Sequence, residues 1–83
     1  MAYALVYDYQ KESRNEPRAY AGRIGVICAS RDSADSALGR IKTRAQYRGD
    51  NRTHWAICAI TGSLPVVGEE IMHRKITLIY CDF

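Results

Sequence analysis

Two histidines and three cysteines are the residues of this chain best suited to metal binding or catalysis. They are His54, His73, Cys28, Cys58 and Cys81. A metal site in a small protein typically needs ligands at C-x-x-C or H-x-x-x-H spacing, and neither spacing occurs here. His54 and Cys58 would share one side of a strand, but about 13 Å of extended chain separates them, which is too far to chelate one ion. The sequence therefore predicts no metal and no other cofactor.

Motifs for nucleophilic catalysis are also missing from the sequence. There is no nucleophile elbow and no Cys/His signature, and the segments GRIG and GSLPVVG lack the spacing and the Lys-Ser/Thr ending of a phosphate-binding loop. One enzymatic alternative stays open. His54 and His73, helped by basic and tyrosine side chains, can cleave RNA without a linear motif, as a small ribonuclease does. We predict a protein that is not an enzyme.

A concentration of basic residues is the strongest local signal. Residues 39–52, GRIKTRAQYRGDNR, hold five of the twelve Lys and Arg residues of the chain: Arg40, Lys42, Arg44, Arg48 and Arg52. Two interpretations stay open. The long side chains can cover apolar surface at the end of a helix and complement its dipole, or they can form a patch that binds phosphates or carboxylates. We treat these five residues as candidate partner-binding residues.

Composition indicates one folded domain over residues 1–83. Hydrophobic residues make up 47% of the chain and the net charge is +3, whereas a disordered protein is much less apolar. The N-terminus MAYALVYDYQ has no signal-peptide pattern, and no eighteen apolar residues run together. The three cysteines are an odd number without close spacing in the sequence, which favours reduced thiols over disulfides. We expect a cytoplasmic protein that does not bind membranes.

Four segments have the alternation and the β-branched or aromatic content of strands. They are YALVYDY at 3–9, RIGVICAS at 23–30, THWAICAIT at 53–61, and the segment 70–83, in which the strand pattern is clearest from Lys75 onward. In the first of them, alternation places Tyr3, Leu5, Tyr7 and Tyr9 on one side.

Between the second and third strands the period changes to that of a helix. Ala34, Ala37, Leu38, Ile41 and Ala45 follow the spacing of one helix face. Asp32 or Ser33 is expected to cap the start of this helix and Gly49 to end it.

The resulting order β-β-α-β-β predicts an α+β fold, a two-layer sandwich of one helix on a four-stranded antiparallel sheet. A helix of about sixteen residues covers one face of such a sheet. We expect the other face, carrying Tyr7, Tyr9 and Trp55, to bind a second copy or another protein. The alternatives are that loops fold over this face, or that the aromatic residues belong to the core. Two connections between strands, 10–22 and 62–70, are long for hairpins, and loops of this kind often bind a partner. The alternative for 10–22 is a solvated tip without a binding role. The alternative for 62–70 is a loop whose valines pack on the edge of the sheet.

A resemblance spans the opening strand YALVYDYQ, the polar loop KESRNEP, the passage ICASRDSADSALGRIKTR and the closing strands. In length and element order the chain resembles small phage-encoded anti-CRISPR proteins that inhibit type I CRISPR surveillance complexes. The resemblance implies a phage or mobile-element inhibitor that binds a host CRISPR-Cas complex and blocks DNA binding or nuclease recruitment. Some such inhibitors are acidic and imitate DNA, but this chain is basic. Its basic residues would instead engage acidic protein, guide RNA or nearby DNA. A small nucleic-acid-binding regulator is the alternative.

Overall fold

The computed structural model describes residues 2–10, 20–48 and 54–81, with only the backbone described for residues 20 and 45–48. Within these ranges the chain forms five strands, one α-helix and one 3-10 turn. In chain order they are β1 (Tyr3–Tyr7), β2 (Tyr20–Cys28), α1 (Arg31–Arg48), β3 (Trp55–Ile60), β4 (Glu70–Met72), the 3-10 turn (His73–Lys75) and β5 (Ile76–Cys81). The predicted α+β class is confirmed. The predicted four-stranded sheet is wrong, because the sheet has five strands.

The additional strand lies in the segment 70–83, which was predicted as one strand. The antiparallel sheet has the order β4-β2-β1-β3-β5, so β4 and β5 occupy opposite edges although the chain joins them through one 3-10 turn. Five flat strands would place the outer two about 19 Å apart, whereas the four peptide units from Met72 to Ile76 reach at most about 14 Å. The sheet therefore curls, and its two edges approach each other.

Helix α1 begins at Arg31, two residues earlier than a cap at Asp32 would allow. The Ser30 hydroxyl accepts a hydrogen bond from the Ser33 backbone N–H at 3.1 Å, which is the geometry of an N-cap. The prediction that Asp32 or Ser33 is the cap is wrong, because both lie inside the first turn. The predicted end at Gly49 lies outside the described residues. Among the residues that are described, no helix is long and apolar enough to span a membrane.

The helix packs on one face of the sheet through small residues, as its period predicts. Ala34, Ala37 and Leu38 are buried there against Leu5 and Ile57, and Ile41 is half-buried beside them. Small side chains let the helix approach the sheet closely. This layer is the first of two apolar clusters.

The opposite face of the sheet forms the second cluster, and the prediction that this face is bare is wrong. Ala4, Val6, Ile24 and Cys58 are completely buried on it, together with Ile71 of the edge strand β4. The reason is the curl, which folds this face around its own side chains. Both faces of the sheet are therefore buried, although the described residues contain a single α-helix.

Two backbone distortions decide which side chains point into the curled interior. A β-bulge shifts the register of β1 against β2, so that Leu5 pairs with Val26 while Val6 pairs with Ile24. Asp8 has a positive φ of 55°, which ends β1 and turns Tyr9 inward. The prediction that Tyr9 shares the side of Tyr7 is therefore wrong.

Candidate binding surface

The exposed side of α1 carries a shallow, open depression bordered by two arginines. Arg40 and Arg44 are exposed, and Ser36, Gly39 and Thr43 form its floor. The Thr43 hydroxyl donates a hydrogen bond to the Gly39 carbonyl at 2.9 Å, which holds this side chain against the helix. We call these five residues the basic helix surface.

The charge of the basic helix surface is not balanced within the helix. Asp32 and Asp35 lie near the helix start, where Asp35 is 3.9 Å from Arg31, and no acidic residue follows in positions 36–48. Like charges at i and i+4 destabilise a helix by about 0.2–0.5 kcal/mol. The favourable helix dipole acts within the last turn, whereas Arg40 and Arg44 precede that turn. Neither ion pairing within the helix nor the helix dipole therefore accounts for this pair.

Lys42 lies on the neighbouring side of the helix and reaches the edge of the sheet. Its Nζ is 5.6 Å from the centre of the Tyr80 ring on β5, a cation–π distance. Tyr80 is 43% exposed and Lys42 is half-buried. This contact extends the positive surface from α1 to β5. Tyr80 was not among the predicted binding residues, although the alternating segment ITLIYC already indicated that it faces one side of a strand.

The structure brings together two of the three predicted binding aromatics. The rings of Tyr7 and Trp55 are 5.4 Å apart at a tilt of 48°, and both are half-buried. The Trp55 ring lies over Gly25, where an added Cβ would be 2.7 Å from its Cζ3 atom. These two residues thus contribute to the packing on the helix side of the sheet and offer only partial exposure.

The remaining predicted site residues lie elsewhere or cannot be placed. Tyr9 is only 5% exposed and its ring meets His73 edge-on at 5.7 Å, so the structure removes it from the binding surface. For Arg48 only the backbone is described, as part of α1, and Arg52 lies outside the described residues.

The residues first considered for chemistry do not converge on the basic helix surface. Burial, followed by the neighbouring Cys81, raises the pKa of Cys58 to about 12. Burial also raises the pKa of Tyr9, with smaller contributions from Cys58 and Cys81. Both groups therefore keep their protons at neutral pH. In the described part of the chain, no three His, Cys, Asp or Glu side chains are grouped to hold a metal ion.

The connection after β3 is an ordered tip with exposed apolar side chains. Leu64, Val66 and Val67 are 63%, 71% and 61% exposed, so the alternative that the valines pack on the sheet edge is wrong. The Glu69 N–H donates to the Val66 carbonyl at 3.0 Å, and Gly68 has a φ of 90°, which together match a type II turn. Arg23 anchors the tip by donating to the Gly68 carbonyl at 3.1 Å.

Comparisons with family models, with curated proteins and with solved structures found no match to this chain.

Proposed function

We propose that the protein is a non-enzymatic binding protein that inhibits a larger complex by occluding one of its surfaces with the basic helix surface. The observation that carries this proposal is the exposed pair Arg40 and Arg44, one helix turn apart beside a floor of small residues. A flat positive area of this kind suits a row of phosphates or carboxylates on a macromolecule.

The partner that we propose is a type I CRISPR surveillance complex of a bacterial host. The support for it is the resemblance, in chain length and in the element order predicted from the sequence, to small phage-encoded anti-CRISPR proteins. The net charge of +3 favours contact with acidic protein, guide RNA or bound DNA over imitation of DNA.

The test uses a purified type I surveillance complex and labelled duplex DNA that carries its target. We expect the protein to reduce the fraction of DNA bound by the complex in a gel-shift assay. Arg44→Glu and Arg40→Glu should each weaken this inhibition about tenfold, because reversal places like charges at the interface. Arg74→Glu is the matched control, since it changes the net charge equally at an exposed arginine outside α1. All three variants should keep the thermal midpoint of the unmodified protein.

A second candidate function is a nucleic-acid-binding regulator, which the exposed Tyr80 beside Lys42 favours, because aromatic and cationic side chains together bind bases and phosphates. Fluorescence anisotropy with free RNA and duplex DNA over a salt series separates the two candidates. Salt-sensitive binding to free nucleic acid, without an effect on the surveillance complex, supports the regulator. RNA fragments in the same samples would contradict a non-enzymatic role.

A further inference from the structure

Four consecutive residues in the connection after β3 form an uncharged, protruding apex. We call Leu64, Pro65, Val66 and Val67 the apolar tip. Three of these side chains are 63%, 71% and 61% exposed, and none of the four carries a charge. Because neighbouring residues are all this exposed, the apolar tip is convex. Exposed aliphatic side chains that stand together within a polar border mark a contact with another molecule.

Hydrogen bonds fix the shape of the apolar tip in the free protein. The Glu69 carboxylate accepts a hydrogen bond from the Val66 N–H at 2.9 Å, and Gly68 donates its N–H to a carbonyl of β2 at 2.7 Å. At the other foot of the connection, the Thr61 N–H donates to the Lys75 carbonyl at 2.9 Å. Binding therefore requires little further ordering of this segment, which favours affinity.

The charges at the base of the apolar tip balance. Arg23 and Glu70 form an ion pair at 2.8 Å, and Glu69 and Lys75 line the same small cleft at the base of the tip. Two carboxylates thus lie beside two basic side chains. An apolar apex on a neutral base matches an apolar, uncharged pocket, because a charged surface would lose its water without gaining a counter-charge.

A lipid surface and a second copy match the apolar tip less well. Residues 61–70 have no Lys, Arg or aromatic side chain, and these are the groups that hold a protein at a membrane surface. A second copy related by a two-fold axis presents the same convex tip, and two convex tips do not bury each other. A concave pocket on a different protein is the occupant that the shape and charge favour.

We propose that the apolar tip is an anchor that inserts into a concave, uncharged apolar pocket of a protein partner. For the identity of this partner the proposal rests on the proposed function, so the pocket belongs to a protein subunit of the surveillance complex. The apolar tip shares no residue with the basic helix surface. The two contacts can therefore be removed one at a time.

Biolayer interferometry with the immobilised surveillance complex measures the dissociation constant of each variant. Leu64→Thr and Val67→Thr should each raise it about tenfold, because each weakens an apolar contact in a pocket without water. Leu78→Thr is the matched control, since Leu78 is 40% exposed and lies on β5, outside the tip. Its dissociation constant should stay within about twofold of the unmodified protein. Circular dichroism verifies that each variant is folded.

Salt separates the apolar tip from the basic helix surface. Between about 0.05 and 0.3 M sodium chloride, the loss caused by Val67→Thr should stay constant, because no charge takes part in this contact. The loss caused by Arg44→Glu should shrink over the same range, because ions screen charges at an exposed interface.

The outcomes distinguish failure of the anchor from failure of the proposed function. No binding of the unmodified protein would refute both. Binding that Arg44→Glu weakens and both tip variants leave unchanged would overturn the anchor alone. Cosedimentation with vesicles of phosphatidylcholine and phosphatidylserine, or a mass above 9.4 kDa in light scattering, would also overturn it if Leu64→Thr abolishes the effect, because lipid or a second copy would then cover the tip.

Discussion

Replacing Ile24 by alanine tests the finding that the second face of the sheet is a closed interior. Ile24 is completely buried there, beside Val6 and Ile71. The substitution removes three carbon atoms, worth about 0.8 kcal/mol each in lost burial, or about 2.4 kcal/mol. The cavity left behind raises the expected cost to about 3–4 kcal/mol. The backbone N–H of Ile24 keeps its bond to the Glu69 carbonyl at 2.9 Å, so the loss reports on packing.

Urea unfolding followed by far-ultraviolet circular dichroism measures this cost. A domain of 83 residues has a free energy of unfolding of about 4–12 kcal/mol, so Ile24→Val, expected to cost about 0.5–1.5 kcal/mol, provides a milder second point. Leu64→Ala is the matched control, because it removes the same number of carbon atoms from a side chain that is 63% exposed. Its cost should stay within about 0.5 kcal/mol. Equal costs for Ile24→Ala and Leu64→Ala would refute the closed interior.

Two further predictions concern glycines and a thiol. Gly22→Ala should lower the thermal midpoint, because the added Cβ would contact the Val6 side chain and lie 2.6 Å from the Tyr7 carbonyl oxygen. Gly39→Ala should instead stabilise the helix by about 0.5–1 kcal/mol, because a Cβ added at Gly39 has no atom within 4 Å and alanine is the better helix former. Differential scanning calorimetry should show opposite shifts. Above pH 9 the unfolded chain loses the Cys58 proton that the folded chain keeps up to about pH 12, so the free energy of unfolding should fall as pH rises through this window. Urea titrations at several pH values should show a shallower fall in Cys58→Ala, and equal slopes would contradict the assignment.

The helix could be predicted from the sequence because its signal is local. Ala34, Ala37 and Leu38 recur at the helical period, and the structure buries all three. The order of the first four predicted elements follows from equally local alternation. At the start of the helix, the cap was predicted at Asp32 or Ser33, whereas the capping hydroxyl is that of Ser30.

The curl of the sheet could not be predicted, because it depends on pairing between distant segments. No local sequence pattern indicates that Ile71 pairs at the edge beside β2 while Ile76 pairs at the edge beside β3. The face of the sheet on which each side chain lies could not be predicted for a similar reason. A single bulge opposite Leu5 and Val6 and one positive φ at Asp8 reverse the alternation that the sequence pattern assumes.

The binding surface could be predicted in part. The cluster of basic residues identified Arg40 and Arg44, which the structure exposes side by side. The contact between Lys42 and Tyr80 joins residues far apart in the chain, so no spacing rule finds it. The exposure of Val66 and Val67 likewise follows from a turn at Gly68 whose anchor is the distant Arg23.

The small side chains inside the curled sheet restrict how this molecule can diversify. Ala4, Ala21, Ala56 and Cys58 line the interior, and at Gly22 even one methyl group would meet a neighbouring strand. Bulkier residues at these positions would have to push the strands apart and break their ladders. Sequence change that alters recognition is therefore tolerated best on the outside, along the helix, the apolar tip and the last strand, while the inner lining stays almost fixed in volume.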